Sequence, residues 1–143
     1  MLEAGRALGL QILIVECRDD RDFERAFATM VDHRVGALIL GPLVYGNFNK
    51  IEALVARHSI PTMFPRRVSV VNGGLISYGP SGENLYNQLA TQYVAPILKG
   101  TKPADLPVQQ PSKYQLAINL KTAKTLGLTI PRTLLAAATE LIE

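Results

Sequence analysis

The residues best equipped for chemistry in this chain are few. Asp19, Asp20 and Asp22 cluster their carboxylates, Arg66 and Arg67 form the tight basic pair, and His33 and His58 are the two imidazoles. Carboxylates gathered at a strand end can hold Mg²⁺ or take part in phosphoryl transfer, the work of a free-standing flavodoxin-like or receiver-like domain in signalling or enzymology. Helix capping plus a solvated first turn accounts for the same three aspartates without any ligand, since carboxylates favour the positive end of a helix. Both histidines fall near predicted helix C-termini, where a cation meets the helix dipole favourably, and neither has a second ligand at metal spacing. No nucleophile stands paired with a base. The G-x-S-x-G elbow, the G-x-x-x-x-G-K-[ST] phosphate loop and the G-x-G-x-x-G dinucleotide spacing are all absent. Binding is therefore favoured over catalysis, with no metal and no cofactor.

The bulk numbers agree with a folded binding domain. The 143 residues suit one domain, and 48% hydrophobic against 19% charged residues can build a core. The net charge of +3 is spread out rather than gathered in a stripe, which argues against nucleic-acid binding. Cys17 stands alone, cannot form an internal disulfide, and reads as a small buried hydrophobe. No apolar run approaches the roughly 20 residues of a membrane helix. The opening "MLEAGRALGL" lacks the layout of a secretory signal and reads as a helix already under way, as in an incomplete chain.

Strand and helix signals alternate. Residues 10–17, "LQILIVEC", read as a strand. Asp19 then caps a helix whose Phe23, Ala26, Phe27, Met30 and Val31 make one apolar face. Residues 35–41, "VGALILG", lack polar alternation, as in a strand covered on both faces. The strand breaks into a loop where Gly41, Pro42 and Gly46 let backbone approach a ligand, and Asn47 caps a helix bearing Ile51, Leu54, Val55 and His58. Residues 60–64 and 73–79 are short strands. A helix over 82–99 ends at Gly100, with a kink expected at Pro96. Residues 114–120 read as a strand near an edge, 121–127 as a short helix, and 130–143 as a final amphipathic helix. The alternation predicts an α/β domain with a mostly parallel sheet, whose ligands bind beyond the carboxyl ends of the strands.

Three stretches carry a family resemblance: "NGGLISYGP", "ILKGTKPADLPVQQPSKYQLAINLKTAKTLGLTIP" and "LLAAATELIE". They closely resemble the substrate-binding proteins of ABC importers, of the type related to tryptophan and tyrosine receptors. The likeness runs upstream through "RDDRDFERAFATM" and "RVGALILGPL" and covers essentially the whole chain. It implies a class I periplasmic binding protein fold, in which two doubly wound α/β lobes close on a small organic solute and an ABC permease receives it. The chain would then be a truncated second lobe lacking its first strand, and residues 82–100 would cross toward the first lobe. With the usual order 2-1-3-4-5, residues 10–17 and 35–41 would flank a gap or pair directly. The full-length family is periplasmic, whereas this chain without a signal peptide would stay cytoplasmic if translated as written.

Carried over by position, the resemblance places Pro42, Tyr45 and Asn47 on a strand-end loop at the ligand cleft. Arg66 and Arg67 follow the next strand, and Tyr78, Pro80 and Ser81 stand at a crossover into a helix. An arginine there could pair with a carboxylate, and Tyr45 or Tyr78 could pack on an apolar solute. The helix start at Ser81 could receive an anion. Val68 and Ser69 depart from the family's usual acidic residue and phenylalanine, and Pro96 replaces a usual polar residue. Half a cleft implies impaired binding, and apolar surface left uncovered on the 82–99 helix implies self-association. A broken reading frame that leaves a non-functional remnant is the remaining alternative.

Overall fold

The computed structural model describes residues 2–41 and 48–143. Its first elements are α1 (Leu2–Ala7), α2 (Phe23–Asp32), β1 (Leu38–Ile39), α3 (Phe48–His58), β2 (Thr62–Phe64), α4 (Arg67–Val71) and β3 (Ile76–Pro80). A long helix follows in two pieces, α5 (Gly82–Leu89) and α6 (Ala95–Leu98), joined by a π-helical turn over Ala90–Val94. The chain ends with β4 (Tyr114–Asn119), α7 (Leu120–Thr125), α8 (Arg132–Ala137) and β5 (Glu140–Ile142). The strands form one sheet in the order β1-β2-β3-β4-β5, parallel at every junction except the antiparallel β3–β4 pair.

The antiparallel pair follows from the route of the chain. The peptide leaves β3 at Pro80, runs out along α5 and α6, and returns to the same sheet end, where Tyr114 pairs opposite Pro80. The Ser81 N–H donates to the Lys113 carbonyl at 3.0 Å, which clamps the outgoing and returning strands together. A connection that re-enters where it left can only reverse the strand direction.

The core is built as the apolar spacing predicts. Phe23, Ala26, Phe27 and Met30 of α2 are buried against Ile51 and Leu54 of α3, with Val15, Val35, Leu38 and Leu40 packed on the cluster. Val31, expected on that face, is 47% exposed. Both histidines lie at helix C-termini: His33 follows α2, and His58 ends α3 with its ring stacked on Phe27 at 5.7 Å. On β4, Ala117 and Ile118 are fully buried, and the strand lies one place in from the edge, which β5 occupies.

Several expectations are corrected. Residues 10–17 join no strand. Leu10, Leu13 and Ile14 are exposed, and Cys17 is exposed rather than buried. They pair neither across a gap nor directly with β1; an apolar β-branched run becomes a strand only where a neighbour accepts its hydrogen bonds. The N-cap of α2 is Asp22, while Asp19 closes the preceding turn by accepting the Arg21 N–H at 2.9 Å. The final amphipathic helix is only the short α8, and the "ELI" tail pairs with β4 as β5. Pro96 is accommodated one turn early. The Ala95 N–H reaches back five residues to the Ala90 carbonyl, and this wider π turn makes room for a ring that would otherwise strike the helix backbone. Gly100 ends α6 at φ 101, a left-handed conformation suited to glycine.

The unanticipated element is α4, whose sequence "RVSVV" is poor in helix formers. Burial overrides propensity: Val70 is completely buried and Ser69 nearly so. The Asn119 side chain donates from Nδ2 to the Val70 carbonyl at 3.1 Å, and its Oδ1 accepts the Thr122 N–H at 2.9 Å. One buried amide thus ties the end of α4 to the start of α7, satisfying backbone groups that would otherwise be orphaned.

Candidate ligand-binding rim

The carboxyl ends of the parallel strands β2 and β3 present the candidate site. Of the eight residues carried over there, Pro42, Tyr45 and Asn47 lie outside the described residues, and Pro80 is the last residue of β3. The other four are Arg66, Arg67, Tyr78 and Ser81.

Arg66 is exposed and follows β2 in extended backbone. Its guanidinium lies 5.1 Å from the centroid of the Phe48 ring, the first residue of α3. That separation is within cation–π range. Arg67 is differently placed: its Nε and Nη2 donate to the two carboxylate oxygens of Glu140 on β5. This bidentate pair drives Glu140 below the usual carboxylate range and Arg67 above its own, chiefly through the side-chain hydrogen bonds.

Tyr78 is 51% exposed and stacks on Tyr114, with ring centroids 5.5 Å apart and planes inclined by 20°. Ser81 is buried, and its hydroxyl accepts the Asn84 N–H at 3.4 Å as the N-cap of α5. The serine is therefore used in starting the helix, which points the first backbone donors of α5 toward the rim.

Sheet geometry divides these residues. Glu140 pairs across from Ala117, and Ala117 from Ser77, so the partner of Arg67 stands in the Ser77 row. Tyr78 alternates with Ser77 and points to the other face. Arg66 follows β2 and Ser81 follows β3, at the carboxyl ends of neighbouring parallel strands, whereas the partner of Arg67 and the Tyr78–Tyr114 stack lie on opposite faces of β3. Phe48, Tyr114 and Glu140 were missed from sequence. Phe48 directly follows the expected helix start and could have been found from that position; Tyr114 depends on the antiparallel register, and Glu140 on a strand hidden in a helical-looking tail.

The cavities are uneven. A notch of about 10 Å³ lined by Pro65, Arg67, Ser77, Gly79, Pro80 and Gln115 has room for little more than a water-sized group. A larger open groove of about 510 Å³ runs beside α5 between Asn84, Gln88, Thr91, Gln109 and Ser112. It is lined by amides and hydroxyls without a charged or aromatic side chain, so it offers neither a counter-charge nor a stacking surface. The rim offers both.

Two of the three aspartates considered as an acidic centre are engaged locally through their side chains. Asp19 pairs with Arg21, which lowers its pKa to about 2 mainly through the side-chain hydrogen bond, and Asp22 pairs with Arg25. Among the described residues, no three His, Cys, Asp or Glu side chains gather closely enough to hold a metal ion. Among the same residues, no helix is long and apolar enough to cross a membrane.

Comparison with known proteins places the chain. The family model described as ABC transporter substrate binding protein matches residues 2–142. An ABC domain from Streptococcus pneumonia, solved in complex with L-Trp, is 26% identical with a TM-score of 0.83 over 98% of this chain and 49% of its own. A conserved domain protein from Vibrio cholerae is 25% identical with a TM-score of 0.78, over 98% of this chain and 47% of its own. A substrate-binding protein with adhesive properties from Clostridium difficile, in its ligand-free open form, shares the fold at 16% identity and a TM-score of 0.60, over 99% of this chain and 47% of its own. The chain thus spans about half the length of these structures. No curated protein sequence matches it significantly.

Proposed function

Because the chain belongs to the ABC transporter substrate-binding protein family, we propose that it contributes one wall of a solute-binding cleft in an ABC importer. The family match across residues 2–142 is the observation that carries this reading. The wall is the rim of Arg66 on Phe48, the Tyr78–Tyr114 stack and the start of α5. It pairs a cation with stacked aromatic rings, which suits a small organic solute bearing a carboxylate and an apolar or aromatic part. The L-Trp held by the Streptococcus relative has both features. The reaction is capture and release, with no bond made or broken. In this reading the chain is the second lobe without its first strand, the full-length protein works in the periplasm, and a membrane permease takes the solute from it.

A closed cleft surrounds about 70–90% of a small ligand, whereas one wall touches only one side. Isothermal titration of this chain with L-tryptophan is therefore expected to give a Kd weaker than about 1 mM, corresponding to about 4 kcal/mol or less. A micromolar Kd would mean that the chain closes a site by itself, contrary to the one-wall reading.

Self-association is also expected. Tyr86 is 74% exposed and Leu98 82% exposed along the α5–α6 helix, and Leu10 and Ile14 add apolar surface in the segment between α1 and α2. Light scattering across a concentration series should give a mass above that of one chain and rising with concentration. A constant monomer mass would rule this out.

A further inference from the structure

The two adjacent arginines after β2 have been given different surroundings. Arg67 is held by both oxygens of Glu140, 73 residues along the chain, so its in-plane donors are already engaged. Arg66 makes no salt bridge among the described residues; its guanidinium rests over the Phe48 ring. A ring contact takes none of the guanidinium's N–H donors into a hydrogen bond with an oxygen, and such a fork of donors is what a carboxylate pairs with in bidentate fashion.

We infer that Glu140 is a positioning residue that reserves Arg67 as a tie between α4 and β5, leaving Arg66 on Phe48 as the guanidinium that receives the solute carboxylate. The ligand part of this inference rests on the proposed solute-binding function; the division of labour between the arginines does not. The pairing has a further effect on specificity. With Arg67 neutralised by Glu140, Arg66 is the rim guanidinium without a salt bridge among the described residues, which suits one carboxylate better than two.

Arginine-directed modification with phenylglyoxal, mapped by mass spectrometry, reads the first part without any ligand. Arg66 should react at least about fivefold faster than Arg67, and Glu140→Gln should remove most of that difference, since a charge-assisted pair shields its donors. Should Glu140→Gln fail to fold, the intact chain at high salt provides the same readout, because a half-exposed pair is screened and Arg67 should then gain reactivity. Equal rates in the intact chain, or a difference untouched by both changes, would overturn the assignment.

Protection by L-tryptophan raised to its solubility limit, above the weak Kd expected of one wall, reads the second part. It should slow modification of Arg66 and leave Arg67 unchanged, and Arg66→Ala should weaken L-tryptophan binding by about tenfold or more while Arg67→Lys stays within about threefold. Protection of Arg67 instead of Arg66 would overturn the ligand assignment while leaving the solute-binding function standing. No protection of either would sink that function and Arg66's role together, with the Arg66 to Arg67 rate ratio still deciding the role of Glu140.

Discussion

Phe64→Ala is expected to destabilise the domain by about 3–5 kcal/mol, the range for removing a fully buried aromatic side chain. Phe64 ends β2 with 1% of its surface exposed. Its ring fills the space beneath the turn that joins α4 to β3: a Cβ placed on Gly74 would fall 2.7 Å from its Cε2. The site has little freedom to collapse on the void. Gly74 is hydrogen-bonded through its N–H to the Ser69 carbonyl at 2.8 Å, and β2 is paired on both sides. Against a typical total stability of about 5–15 kcal/mol, the loss is a large fraction. Urea unfolding followed by circular dichroism should show a lower midpoint with an unchanged slope. A midpoint within error of the parent chain would mean that the ring is not in the core.

Gly79→Ala should also destabilise, by about 1–3 kcal/mol, through the opposite mechanism of overpacking. A Cβ at Gly79 would collide with the Pro65 carbonyl oxygen, and the obstacle is backbone rather than a side chain that can swing aside. Relief requires the end of β3 to move away from the segment after β2. Gly79 stands between Tyr78 and Pro80 in the register that pairs them with Leu116 and Tyr114. The displacement should therefore reach the Tyr78–Tyr114 stack and lower the affinity of the rim as well as the stability of the sheet. Ser77→Ala, on the same face at a buried position without the collision, is the control and should cost less. A Gly79→Ala chain as stable as the parent would show that β2 and β3 do not approach each other so closely.

The Arg67–Glu140 pair contributes less than either. Glu140 titrates below its ordinary value in the folded chain because Arg67 hydrogen-bonds its charged form. The stabilisation is therefore complete above the unfolded carboxylate pKa of about 4.3 and is lost as pH falls through the lower folded value. Both partners are substantially exposed, which holds the contribution to about 1 kcal/mol or less.

What could be read from the residues follows from how local each signal is. The i, i+3, i+4 spacing of Phe23, Ala26, Phe27 and Met30 needs no distant partner to declare a helix face, and it stood. Residues 10–17 have the composition of a strand, but strand formation needs a neighbour elsewhere in the chain, which composition does not reveal. The "ATELIE" tail failed for the converse reason: Leu141 and Ile142 satisfy a helical pattern over so few residues that pairing with β4 decides the outcome. Val68, Val70 and Val71 disguised α4, whose helix is held by burial and the Asn119 amide rather than by its own propensity. Arg66, Tyr78 and Ser81 were singled out through the family resemblance, and the strand ends beside them were legible because glycines, prolines and a serine at a helix start mark such ends. Glu140 and Tyr114 were not, because each reaches its partner through register.

The central claim is that the carboxyl-end rim is the face that meets solute. Titrating ¹⁵N-labelled chain with L-tryptophan and following amide shifts tests it most directly. The account predicts weak, concentration-dependent shifts gathered at Phe48, Arg66, Tyr78, Gly79, Ser81 and Gly82, with the amide-lined groove along Gln88 and Gln109 undisturbed. Shifts centred on that groove, or none at any accessible concentration, would contradict it.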